Sequence, residues 1–139
     1  MPLYINDSNI KIKSINKTLL RKTLIRTMTY LNIEKKHIDI TFIGNSKMKS
    51  LNLEYKKVDK STDVLSFLIA GHDKALLGEI FICLDYARKN CLKNKYSLAK
   101  EVKILCIHGV LHLLGYDHAE VDDEISMFQL QDDLYNRFR

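Results

Sequence analysis

Residues 97–114 constrain the fold of this chain more than any other stretch. Ser97 can cap a helix N-terminus, Gly115 sits where a left-handed residue past the C-terminus belongs, and residues 104–114 are apolar nearly all round. A helix without a polar face has to be covered on every side. The rest of the chain therefore has to supply a sheet and further helices to wrap it. Around it the sequence offers a short opening strand at residues 3–5 and an amphipathic helix at 14–31, its apolar side made by Ile15, Leu19, Leu24, Met28 and Leu31. Lys17, Arg21, Lys22 and Arg26 fall mostly elsewhere on that helix. Ile38, Ile40 and Phe42 alternate with Asp39 and Thr41 as in a half-buried strand ended by Gly44-Asn45. A helix over 46–56 uses Met48, Leu51 and Tyr55 as its apolar side. Strands over 63–69 and 77–84 are joined by a loop with Gly71 and His72, short enough for antiparallel neighbours. A last helix, 121–138, opens on Glu120, Asp122, Asp123 and Glu124, which suit the positive end of its dipole. The expected fold class is α+β, an α/β sandwich: a small mixed sheet of about four strands with helices packed on it.

The 139 residues, 46% hydrophobic with five Gly and one Pro, fit a single domain over 1–139 and exclude a disordered or low-complexity chain. No stretch approaches the roughly 20 uncharged apolar residues of a membrane span, and residues 1–17 lack the apolar segment of a signal peptide. The expected location is the cytoplasm, with no membrane partner. Cys83, Cys91 and Cys106 are odd in number and lack C-x-x-C spacing, so reduced thiols are expected. The net charge of +5 is unevenly spread: the basic excess lies in residues 1–60, while acids outnumber bases in 61–139. That distribution lets a polyanion such as RNA dock on one side.

The chemistry-bearing constellation lies at the end of the apolar helix: His108-Gly109-Val110-Leu111-His112-Leu113-Leu114-Gly115-Tyr116-Asp117-His118. Residues four apart are separated by about 40° in azimuth and about 6 Å in rise, so the rings of His108 and His112 can converge on one ion. On a continued helix His118 would lie about 15 Å along the axis from His108. A reversal at Gly115 lets it return as a third ligand. Three imidazoles without a fourth protein ligand make an open site, the arrangement of a catalytic rather than a structural zinc. The same donors also accept nickel, copper or cobalt. In a random chain of this composition the pattern H-x-x-x-H-x-x-G-x-x-H is expected on the order of 10⁻⁴ times, so chance explains it poorly. His72 and His37, each alone, read as exposed and idle.

The spacing matches the long zinc motif of metzincin proteases except at Gly109, where that motif carries the glutamate serving as general base. A peptidase would lack its main actor. The run His108-Gly109-x-Leu111-His112-Leu113-x-Gly115-Tyr116-Asp117-His118 closely resembles the signature of the YbeY endoribonuclease family of rRNA maturation factors. Leu51-Asn52 with Tyr55, residues 62–67 (Thr-Asp-Val-Leu-Ser-Phe), Leu77-Gly78-Glu79-Ile80 and Met127 fall in that family's order and spacing. The resemblance covers residues 38–130, and the first helix by type alone.

The resemblance implies a single-strand-specific, zinc-dependent endoribonuclease with the ion on His108, His112 and His118. It would act in maturing the 3′ end of small-subunit rRNA and in ribosome quality control, with ribosomal RNA, the small subunit and its assembly proteins as partners. Two residues depart from the family pattern. Lys56 stands where the family has an arginine taken to line the RNA cleft, and it neutralises a phosphate without offering a planar fork. Equally, it is a solvated lysine of the pair Lys56-Lys57. Glu79 replaces the usual aspartate. By residue type Asp63, Glu79 and Asp117 are all candidate bases. Asp117 equally supports a ligand or the local backbone, and Asp63 with Ser66 either lines the cleft or fixes a strand end. A competing reading is a non-catalytic RNA-binding assembly factor with a structural zinc.

Overall fold

Alternation of β-branched and aromatic residues with polar ones makes the sheet, and burial of its apolar face decides what packs on it. The computed structural model describes residues 3–6, 15–69 and 76–139. Among them are four strands, β1 (Leu3–Asn6), β2 (His37–Ile43), β3 (Val64–Leu68) and β4 (Leu76–Cys83), in the order β1-β2-β4-β3. β1 runs parallel to β2 and β2 to β4, while β3 pairs antiparallel with β4 and forms one edge. The sheet is thus mixed and four-stranded, and β3 and β4 are antiparallel neighbours as their short connection requires. The Gly71 and His72 loop itself lies outside the described residues.

Among the described residues five helices complete the α+β fold: α1 (Lys17–Tyr30), α2 (Asn45–Lys56), α3 (Leu84–Asn94), α4 (Leu98–Leu113) and α5 (Val121–Phe138). α4 is the covered helix that the sequence demands. Val102, Cys106, Ile107, Val110 and Leu111 are fully buried, and the helix touches α1, α3, α5, β3 and β4. Its cap is the Ser97 side chain, which accepts from the Lys100 N–H at 3.1 Å. The sheet face beneath it consists of Ile38, Ile40, Phe42, Ile80 and Ile82. On the opposite face α2 closes a smaller cluster of Ile43, Met48, Leu65 and Cys83.

Three features differ from the sequence reading. Tyr55, expected on the apolar side of α2, is 58% exposed, while Met48 and Asn52 are the buried residues there. Helix α1 starts at Lys17, capped by the side chain of Asn16, and its buried side runs through Leu20, Thr23, Leu24, Thr27 and Met28. Leu19 is left half exposed, because a helix turns about 100° per residue and the hydroxyls of two threonines are tolerated in the packed stripe. Thr27 returns its hydroxyl to the Thr23 carbonyl and Thr23 to that of Phe138, so neither is left unpaired. Helix α3 has no counterpart among the elements expected from the sequence. It follows β4 without a loop, has no side-chain cap, and buries only Leu84, Ala87 and Cys91. Among the described residues no helix is long and apolar enough to cross a membrane.

Candidate metal centre

The close approach of α4 to the sheet sets the position of the histidines. A Cβ on Gly109 would stand 2.8 and 2.9 Å from side-chain carbons of Ile80 and 3.1 Å from the Ser66 hydroxyl oxygen. Only a residue without a side chain lets the helix lie this near β3 and β4. The same contact explains why no glutamate stands beside His108: the position points into the sheet.

At its far end α4 stops in a Schellman motif. The Gly115 N–H bonds to the His112 carbonyl at 3.0 Å and the Tyr116 N–H to that of Leu111 at 3.1 Å, with Gly115 at φ +96°. The chain reverses there, as the spacing predicts, and His118 returns to the helix. Asp117 holds the turn, its Oδ1 accepting the His118 N–H at 2.6 Å. One donor nitrogen from each of His108, His112 and His118 then lies within 4.8 Å of the others. Ring centroids are 4.8 Å apart for His108 and His112, 5.2 Å for His112 and His118, and 5.8 Å for His108 and His118.

The donor chemistry fits a transition-metal ion. His108 Nδ1 sits 2.7 Å from Oε1 of the buried Gln131, a carbonyl that accepts and so assigns the proton to Nδ1, leaving Nε2 as a lone pair. Burial lowers the pKa of His108, opposed by the Gln131 hydrogen bond and the charge of Asp63. Burial also lowers that of His112, helped by the two neighbouring imidazoles and opposed by Asp117 and a hydrogen bond to the Tyr116 backbone. Both rings are thereby held in the neutral form that binds metal.

The histidines open on a cavity of about 550 Å³ that straddles the free edge of β3. His108, His112 and His118 line it together with Ser66 of β3, Thr62 and Asp63 just before that strand, and Lys56. Lys56 is the last residue of α2, which Lys57 ends in a left-handed conformation, and its ammonium rests 5.6 Å from the centre of the Phe67 ring. Ser66 donates to the Gly109 carbonyl at 3.2 Å, joining the strand to the histidine helix. The family model described as Endoribonuclease YbeY matches residues 3–139. This chain belongs to that family.

Curated relatives called Endoribonuclease YbeY include one from Persephonella marina, 36% identical over 91% of this chain and 86% of its own. Another, from Phytoplasma mali, is 38% identical over 95% of this chain and 84% of its own. A third, from Acholeplasma laidlawii, is 38% identical over 75% of this chain and 76% of its own. A Thermotoga maritima protein with a known solution structure superposes with a TM-score of 0.67 at 28% identity, over 96% of this chain and 87% of that one.

In this YbeY chain Glu79 stands apart from the histidines. Strand alternation puts Gly78 and Ile80 toward α4 and Glu79 on the other face, beside Asp39 in the register and around a separate hollow with Tyr4 and Thr41. His37 is engaged rather than idle: its Nε2 is 2.7 Å from Asp39 Oδ1 and its ring stacks on Tyr4. Sequence reasoning missed three buried or linking polar groups behind the site. Gln131 is one. Glu101, 4% exposed, accepts from Asn90 Nδ2 at 2.9 Å and from the Tyr96 hydroxyl, and Asn90 also reaches Asp63 Oδ2 at 3.4 Å. Burial, then the hydrogen bond to Glu101, pushes the Tyr96 hydroxyl up to about 12. Glu101 sits between Lys100 and Lys103 in the charged first half of α4, and Gln131 and Asn90 sit in polar helices, so none of the three carried a signal.

Proposed function

We propose that this protein is a zinc-dependent endoribonuclease that cuts single-stranded RNA, acting at the 3′ end of small-subunit rRNA and in ribosome quality control in the cytoplasm. Its partners in this reading are ribosomal RNA, the small subunit and its assembly proteins. The observation that carries the reading is the three-imidazole cluster lining a cavity that Lys56 also lines, in a chain of the endoribonuclease YbeY family. His108, His112 and His118 would hold the ion. A divalent metal there supplies Lewis-acid polarisation of a phosphate and eases deprotonation of water.

The remaining roles fall to side chains of the cleft. Lys56 neutralises a non-bridging phosphate oxygen and orients the phosphate as a point charge, without the two-pronged grip of an arginine. Asp63 is the carboxylate that lines the cavity with the histidines, and it accepts the proton of the attacking group. Ser66, tied to α4, keeps the strand at a fixed distance from the rings. Asp117 positions His118 through the backbone.

The test is cleavage of a labelled rRNA fragment spanning the small-subunit 3′ end, by wild type and by His112→Ala checked for equal folding. Cleavage by wild type alone is the expected result. Equal cleavage by both removes the histidine cluster from the mechanism. Binding without cleavage by either favours an assembly factor with a structural ion.

A further inference from the structure

A second cavity, about 350 Å³, is lined by residues of α4 and α5, the end of α3 and the start of β3, and shares Asp63, Val64, His108 and His118 with the first. His108 and His118 therefore line both spaces, while His112 lines the first alone. The first contains Lys56. The second contains no lysine or arginine; its walls carry Asp63 and Glu101, the polar groups of Asn94 and Tyr96, and the ring of Phe128.

This composition rejects a phosphate and suits a flat, uncharged heterocycle. Two carboxylates in the lining disfavour an anion, with the Lys100 ammonium, 4.8 Å from the centre of the Tyr96 ring, outside the lining. A nucleobase has a π-face for an aromatic ring, and every nucleobase presents at least one N–H donor at its edge. Phe128 is 39% exposed although it lies in a core-facing helix, and its ring stands 5.9 Å from that of His108 at an interplanar angle of 33°. Glu101 and Tyr96 line the same cavity; the Tyr96 hydroxyl donates to one Glu101 oxygen and Asn90 to the other, and each carboxylate oxygen keeps a further lone pair. The volume is within the range of small-ligand sites.

We propose that this second cavity is a nucleobase subsite: an unpaired base next to the cleaved phosphate stacks on Phe128 and turns its donor edge toward Glu101, Tyr96 and Asn94. The proposal rests on the endoribonuclease reading and deepens it. A base held there has left any duplex, so the subsite itself selects single strands. Phosphate is gripped on the Lys56 side and base on the Phe128 side, with His108 and His118 common to both.

The test uses metal-loaded protein and single-stranded oligoribonucleotides with 2-aminopurine placed at successive positions, binding being read by stopped flow before cleavage and the intactness of the strand checked on a gel. One position is expected to lose fluorescence on binding wild type. Phe128→Leu is expected to abolish that quench and weaken binding by roughly 5- to 150-fold at unchanged metal content, while Phe128→Trp keeps both. Equal affinity and an equal quench in Phe128→Leu overturn the subsite. No binding of RNA by wild type overturns the subsite and the endoribonuclease reading together. A quench that depends on Phe128, in a protein that leaves unmodified RNA uncut, supports the subsite and overturns the nuclease.

Discussion

His108 and Gln131, 23 residues apart on different helices, meet at 2.7 Å between Nδ1 and the amide oxygen. Gln131 is 5% exposed in α5, a helix whose other buried positions are Met127 and Leu134, and it fixes which nitrogen of His108 is free. Replacing it with leucine fills the same space without the acceptor. Gln131→Leu is expected to weaken zinc binding about 10- to 100-fold with the fold kept. Competition against a chelating dye checks it, and unchanged affinity would show that the ring needs no such partner.

The glycines under α4 predict an order of damage. A Cβ on Gly109 meets Ile80 side-chain carbons, whereas one on Gly78 collides with the Phe67 backbone oxygen and with Leu113. Alanine gains about 1 kcal/mol of helix propensity over glycine at position 109, but overpacking costs about 1–3 kcal/mol. Gly109→Ala should therefore lower stability slightly, and Gly78→Ala more. Thermal melts of the two variants test the ranking; a Gly109→Ala protein more stable than wild type would mean that the helix can lift off the sheet at little cost.

Metal-free protein should lose stability in acid. Burial lowers the pKa of His108 and His112 from the usual 6.5. As pH falls through 6.5 the unfolded chain takes up these protons before the native one, so stability drops from there and the loss levels off below the native values. Above that range both states carry neutral rings and the pair contributes no slope. Urea titrations from pH 8 to 5, comparing wild type with His108→Gln, should show a steeper acid loss in wild type; parallel curves would contradict it.

The cysteines predict protection from alkylation. All three are buried, and burial pushes the Cys106 thiol up to about 12. Thiolate is the reactive form, so Cys106 should react with iodoacetamide at pH 8 only through unfolding. Its labelling rate should follow the unfolded population across a urea series. Rapid labelling in native buffer would reveal local opening of α4.

The elements that were legible in the sequence are those whose ends and faces are chemically marked. α4 has a serine cap and a terminal glycine, and its histidine spacing survives because the turn at Gly115 needs a backbone that glycine provides. α3 carries no such marks: Cys83 offers no cap, and a helix lying half in solvent needs only a narrow apolar stripe. Glu79 shows a different limit. A strand's period of two tells which residues share a face, but only the docking of α4 tells which face holds the site. Asn90 and Gln131 were invisible because a buried amide looks like a surface amide until its partner is known.

The separation along the chain of the residues that line the cleft has a kinetic consequence. The three imidazoles and Gln131 all belong to α4, α5 and the turn between them, contiguous sequence whose loop closes at small entropic cost. Ser66 belongs to β3 and Asp63 directly precedes that strand, and Ser66 is 43 residues from the carbonyl that it meets. Local contacts form before distant ones. The helical hairpin can capture an ion while the strand that completes the cleft is still undocked, so ion loading is open to a partly folded chain, and the competence to act on a substrate arrives only with the last edge of the sheet.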